Sequence, residues 1–354
     1  MKDSAIIITN GKLATLDGKT AHGLIRGSER FDVLAVIDHL HAGKDAGEVV
    51  PGASKKIPIV ASMDAYLQLS HHKPDYCILG VALPGGKLPH EYIEEIQTAL
   101  ENGISVISGL HQYLNDNPAL HETAAKNHAE IIDIRKPRPT SELHFWNGDI
   151  MGVTTPKIVV LGIDCTVGKR TTCRLILETC LKHGIKAEMI YTGQTGWLQG
   201  YKHGFILDAT PNDFVSGEIE KAIIECDRQS QPELILIEGQ SSLMNPSGPC
   251  GSEFLLSGNI KGVILQHVPF RYYFDELETV GCRLPSIEDE INLIRAYGAT
   301  TLAITLNGTG GTLKKLTDYR DQLAARLSIP VLLPLQDGLE ELIPVIKNYM
   351  GSKP

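Results

Sequence analysis

Two glycines, a lysine and an arginine set the chemistry open to this chain. Residues 157–172, KIVVLGIDCTVGKRTT, run from an apolar β-branched stretch into a glycine-bearing turn and then into a helix-forming segment. Gly162 and Gly168 supply backbone freedom and Lys169 a positive charge, while the helix that follows offers unpaired N–H groups and the positive end of its dipole. Such a turn binds phosphate through backbone amides. Five residues separate the two glycines here, where the ordinary nucleotide loop has four. Arg170 stands where a Ser or Thr hydroxyl ordinarily ligates Mg²⁺. A guanidinium beside the lysine favours a pyrophosphate or phosphomonoester neutralised by protein cations, although Thr171 can reach a metal one position later. We expect Gly162, Asp164, Thr166, Val167, Gly168, Lys169, Arg170, Thr171 and Thr172 to form a phosphate cradle, and no dedicated metal site.

Further candidates follow from where the strands must end. In a parallel sheet, ligands lie at the carboxyl ends of the strands. The residues after the apolar runs of the second half are polar: TGQTG at 192–196, EGQSS at 238–242, Gln266 and His267, and Asn307. Glu238 closes an apolar strand and is a candidate for metal or nucleophile positioning, with a turn cap as the ordinary alternative. Asp213 and His267 are candidate proton acceptors. Asn212 or Asp213 equally suits a helix N-cap, and a lone histidine is more often simply hydrogen-bonded. Gln194, Thr195 and Gln240 can donate to a substrate carboxylate or phosphate, while GQTG also makes a tight turn. Lys44, in IDHLHAGKDAGE at 37–48, can meet an anionic substrate or be a plain exposed charge. Cys165 suggests a thiol lowered in pKa at a helix start, and His39 with His41 lacks a third metal ligand.

The composition is that of an ordinary globular protein: 354 residues, net charge -9, 42% hydrophobic and 21% charged, with an isoelectric point near 5.8. The acidic balance speaks against a general nucleic-acid or membrane-surface partner, so an anionic small-molecule substrate must be met by local cations. Seven cysteines, odd in number and without a CxxC pair, read as reduced thiols. The opening residues show no signal peptide and no run approaches membrane-span length, so we expect a cytoplasmic location. The oligomeric state is left open, a homo-oligomer included.

The elements that must position these residues alternate. Strands are predicted at 5–9, 33–37, 57–61, 76–82, 104–108 and 131–134, with a crossover helix at 90–101 whose Ile93, Ile96 and Leu100 keep helical spacing and which ends at Gly103. LPGG at 83–86 reads as a turn. The pattern breaks at 135–150, where prolines and mixed charge mark a boundary. Strands at 158–161, 187–191, 234–237, 262–265, 301–306 and 331–333 follow, with a helix capped by Ser286 and Asp289 and closed at Gly298. We therefore expect an α/β protein of two parallel-sheet domains, 1–140 Rossmann-like and 150–354 P-loop NTPase-like.

The loop GIDCTVGKRT resembles the GTDxxxVGKT loop of the dethiobiotin synthetase kind, with the same five-residue gap. More broadly, HAGKDAGE (41–48), ILGVALPGG (78–86), ISGLH (107–111), DIRKP (133–137), DCTVGKRTT (164–172), TGQTGW (192–197), NDFVSGEIE (212–220) and IEGQSSL (237–243) resemble the D-glutamate and D-amino-acid N-acetyltransferase family over nearly the whole chain. That resemblance implies a Rossmann-like domain followed by a P-loop domain, and an enzyme that uses acetyl-CoA to acetylate the amine of a D-amino acid such as D-glutamate. The acetyltransferase loop R/Q-x-x-G-x-G/A is not found, so the scaffold would be an unrelated one. Coenzyme A brings phosphates without needing Mg²⁺, which suits Arg170. Two other readings stay open: an ATP- and Mg²⁺-dependent ligase or kinase, and a nucleotide-binding regulatory protein.

Overall fold

The computed structural model describes residues 2–50, 56–70, 72–83 and 88–351. Contacts divide the chain into two units, one of Met1–Arg138 with Gly193–Tyr201, the other of Pro139–Thr192 with Lys202–Pro354.

The first unit is a six-stranded sheet of β1 (Asp3–Ile8), β2 (Phe31–Ile37), β3 (Ile59–Val60), β4 (Tyr76–Leu79), β5 (Ser105–Ser108) and β6 (Ile131–Asp133). Its order is β3-β2-β1-β4-β5-β6 and every pairing is parallel. Unbroken apolar runs such as Ala5 to Ile8 make such strands because both faces are covered. Successive side chains alternate faces: Ile6 and Ile8 pack with Ile96 and Leu100, whereas Ala5 and Ile7 pack with Ala21, Leu24 and Ile25. The predicted crossover helix begins as a single 3₁₀ turn, His90–Tyr92, and continues as Ile93–Glu101, with Gly103 at φ +65° just beyond it. Strand β4 ends sooner than predicted, at Leu79, and the close packing just beyond it requires glycine: a Cβ at Gly80 would meet Ile7 Cγ2 at 2.3 Å and Ala21 Cβ at 2.9 Å. Residues 84–86 of the expected turn lie outside the described residues.

The segment Gly193–Tyr201 was not foreseen as part of this unit. It forms the helix Gln194–Gln199, whose Leu198 is buried in the same cluster as Ala5 and Ile7. The Arg30 guanidinium lies 3.9 Å over the Trp197 ring, and Gln199 Nε2 donates to the carbonyls of Gly23 (2.9 Å) and Gly27 (3.1 Å).

The second unit has seven strands: β7 (Lys157–Gly162), β8 (Ala187–Tyr191), β9 (His203–Gly204), β10 (Leu234–Glu238), β11 (Gly262–His267), β12 (Thr300–Leu306) and β13 (Val331–Leu332). The order is β13-β12-β11-β7-β10-β8-β9, again all parallel. β7 is central and buried throughout, so the loop leaving it starts from the middle of the sheet. The helix Ile287–Ala296 opens with a complete capping box between Ser286 and Asp289. The expected N-cap at Asn212 or Asp213 is corrected: the helix runs Asn212–Ser230, Pro211 holds the cap position, and no side chain caps it. No helix among the described residues is long and apolar enough to cross a membrane.

Two buried glutamates explain the NDFVSGEIE stretch. Glu218 Oε1 accepts from the His144 amide at 2.8 Å, and Glu220 accepts from the amides of Asn147 (2.9 Å) and Ile150 (3.0 Å). These bonds lay residues 144–150 along the helix, and the close approach requires Gly217, whose added Cβ would sit 2.0 Å from the His144 carbonyl oxygen. Gly217→Ala should therefore cost about 1–3 kcal/mol in a denaturant titration, and an unchanged midpoint would mean the segment adapts freely.

Candidate functional site

The loop after β7 enters the helix Lys169–Lys182 at Gly168, which has φ +104°; no side chain caps that helix. Its first amides are thus left for an anion. Lys169 is buried, and its ammonium donates to the carbonyls of Asp164 (2.6 Å) and Ser241 (2.8 Å), which uses two of its three donors. Burial lowers the Lys169 pKa, opposed by Cys165, Asp164, Cys250 and Glu238.

Several side chains expected to face the ligand instead hold the loop. Val167 is fully buried, and its carbonyl accepts from Asn307 Nδ2 at 2.9 Å. Thr172 Oγ1 donates to Gln266 Oε1 at 2.5 Å, which also takes the Thr305 hydroxyl at 2.7 Å. Thr166, at φ +53°, donates to Asp275 Oδ2 at 2.6 Å. Asp164 is 0% exposed and accepts from four donors: the Cys165 amide (2.7 Å), Asn245 Nδ2 (3.1 Å), Arg271 Nη1 (2.8 Å) and the Asp275 amide (2.8 Å). A buried carboxylate persists only when paired and hydrogen-bonded in this way. These side chains are therefore engaged within the protein, and the cations next to the loop are Lys169 and Arg170.

Glu238, at the end of β10, is a buried acid with few donors around it. It is 6% exposed, and its carboxylate accepts a long 3.3 Å bond from the Thr192 amide. Burial lifts its pKa to about 7, against the opposing pull of Arg170, the Thr192 amide and Lys169. A carboxyl poised there exchanges protons at neutral pH. Gln240 Nε2 donates to Thr192 Oγ1 at 3.0 Å, and that hydroxyl donates to the Glu238 carbonyl at 2.8 Å, so Glu238, Thr192 and Gln240 form one cluster.

A family model described as a domain of unknown function, DUF1611 P-loop domain, matches residues 144–343, and its Rossmann-like N-terminal counterpart matches 39–137. The chain belongs to the DUF1611 family. Two curated relatives of this DUF1611 protein, from Pseudoalteromonas sp. and Tritonibacter scottomollicae, are named D-glutamate N-acetyltransferase. They are 27% and 29% identical over 273 residues, which is 75% of this chain and 79% of each relative. The crystal structure of a DUF1611 family protein from Anabaena variabilis superposes with TM-score 0.88 at 24% identity, covering 98% of this chain and 100% of that one, and shows the shared fold.

The remaining candidates of this DUF1611 protein lie elsewhere or are already committed. His267 Nε2 is 2.8 Å from the Tyr319 hydroxyl, and burial with Arg326 pushes its pKa down to about 4, so it stays neutral and weakly basic. Asp213 is exposed and lines a cavity of about 480 Å³ with Phe145, Trp146, Met151, Ser216, Leu256 and Ser257, none of them loop residues. Cys165 Sγ lies 3.6 Å from Ser241 Oγ. In the first unit, Lys44 is exposed, while Gln194 and Thr195 are buried at the start of a helix instead of a tight turn. His41 bonds Asp38 at 2.8 Å and His39 bonds Asn10 at 3.0 Å. Sequence reasoning missed Asn245, Arg271 and Asp275, which carry no local signal and are brought to the loop only by the fold.

The raised Glu238 pKa has a thermodynamic sign. Because the folded value near 7 exceeds the ordinary 4.5, the native state holds this proton more tightly, and the cost of burying the charge grows as pH rises from 4.5 to 7. Glu238→Gln should therefore raise stability at pH 8, by on the order of 3 kcal/mol, and change it little at pH 5. Equal shifts at both pH values in thermal melts would contradict that ionisation.

Proposed function

We propose that this protein is an acetyl-CoA-dependent N-acetyltransferase acting on a D-amino acid such as D-glutamate. The relatives bearing that name, similar over three quarters of the chain, carry this reading. The site supports it with an uncapped helix start for phosphate, a cationic pair at Lys169 and Arg170, and an acid with a pKa near 7 beside them. The cradle suits the phosphates of coenzyme A, which when bound supplies the acetyl group as a thioester.

The chain's own residues divide the work. Amides of the loop and the first turn, with Lys169 and Arg170, hold the phosphates. Glu238, ionised above about pH 7, takes one proton from the substrate ammonium and leaves the nitrogen lone pair free to attack the acyl carbon. As the C–N bond forms, the C–S bond breaks, the thiolate departs with its electron pair, and it takes up the second proton released by the new amide nitrogen to leave as the thiol. Gln240, in the same cluster as Glu238, is the proposed contact to substrate in this unit. Asp164 has its lone pairs taken by protein donors, which agrees with charge balance by guanidinium.

Thiol release from acetyl-CoA with D-glutamate should persist in EDTA, and Lys169→Ala should reduce turnover by about 100-fold. Release abolished by chelator, with Mg²⁺-dependent ATP turnover in its place, would assign the loop to a nucleotide ligase or kinase. The wild-type kcat/KM should climb as pH rises through about 7, and Glu238→Gln should remove that limb from the pH profile; a retained limb would assign the base elsewhere.

A further inference from the structure

The loop contains a strained residue whose restraint comes from outside it. Thr166 has φ +53°, a left-handed conformation that β-branched side chains avoid. Its hydroxyl donates to Asp275 Oδ2 at 2.6 Å and accepts from Arg271 Nη2 at 3.3 Å. Arg271 Nη1 also donates to Asp164 Oδ2 at 2.8 Å and to the Cys165 carbonyl at 2.9 Å, and the Asp275 amide donates to Asp164 at 2.8 Å. Residues 164, 165 and 166 are thus gripped by one pair of side chains from the segment following β11.

The grip sets where the amides point. In a trans, planar peptide the C=O and the next N–H face opposite ways. Because Arg271 draws the Cys165 carbonyl to itself, the Thr166 N–H is turned away from Arg271; Asn307, holding the Val167 carbonyl, turns the Gly168 N–H in the same manner. Pairing with Asp164 alone would not require the bonds to the Cys165 carbonyl and the Thr166 hydroxyl.

We propose that Arg271 and Asp275 are positioning residues for phosphate binding, which hold Thr166 left-handed and so aim the loop amides at the ligand. The inference rests on the phosphate-binding reading of the loop. It does not depend on whether the phosphate belongs to coenzyme A or ATP.

The test is calorimetric binding of inorganic pyrophosphate, coenzyme A and ATP to the full chain, with thermal melts on each variant. Asp275→Ala and Arg271→Lys should weaken pyrophosphate binding about 10-fold, because neither remaining side chain can make the full set of bonds. Asp275→Asn should stay within about 3-fold of wild type, since its amide oxygen still accepts the Thr166 hydroxyl. In the Thr166→Gly background, Asp275→Ala should cost less than about 3-fold, because glycine adopts positive φ unaided. Thr166→Val, which keeps the strain and deletes the hydroxyl without exposing a buried charge, supplies the same comparison if Asp275→Ala does not fold. Wild-type affinity in Asp275→Ala and Arg271→Lys, or an equal loss in both Thr166 and Thr166→Gly backgrounds, overturns the proposal. Pyrophosphate losses as expected with no coenzyme A binding would leave the strap standing and remove the acetyltransferase reading. A wild-type chain that binds none of the three probes would overturn both.

Discussion

A carboxylate sealed from water must be met by donors, and the phosphate loop is organised around that requirement at Asp164. Its four partners come from the loop itself, from Asn245 after β10, and from Arg271 and Asp275 after β11. Satisfying one buried charge therefore ties three separate connections into one body. The chain that leaves the central strand β7 is held from both neighbouring strands, and the uncapped start of the following helix is presented at a fixed place.

Glu238 shows the opposite treatment of a buried acid. It sits on the strand adjacent to β7 and accepts a long bond from the Thr192 amide, but burial dominates and its proton is held up to about pH 7. The contrast is one of bonding: donors around Asp164 satisfy its oxygens, whereas at Glu238 desolvation outweighs the few donors and raises the pKa. Lys169 stands between the two acids, because two of its donors brace Asp164 and Ser241 while its charge favours ionised Glu238.

The first unit uses a buried acid structurally as well. Asp38 follows β2, where dinucleotide-binding folds place a ribose-binding acid. Here it accepts from Thr9 Oγ1 (2.7 Å), the amides of Gly11 (2.9 Å) and Leu13 (3.0 Å), and His41 (2.8 Å). Burial pushes its pKa up, but the bonds from Thr9, His41 and Leu13 outweigh it and the net shift is downward. Its capacity is committed to the turn after β1, so a Rossmann-like order of strands does not by itself carry the Rossmann ligand chemistry.

The sequence by itself determined what depends on neighbours along the chain. β-Branched apolar runs marked twelve of the strands, the Ser286 and Asp289 pair marked a helix start, and the glycines with Lys169 marked the phosphate loop, because periodicity and capping are local properties. The strand His203–Gly204 carries no β-branched apolar run and so has no such mark. Tertiary structure decided the rest. Only packing could turn Thr166, Val167 and Thr172 inward, bring Arg271 and Asp275 more than a hundred residues along the chain to Asp164 and Thr166, and place Gln194–Gln199 in the first unit. The pKa of Glu238 is likewise a property of its enclosure and not of its residue type, since desolvation exists only once the surrounding chain has folded over it.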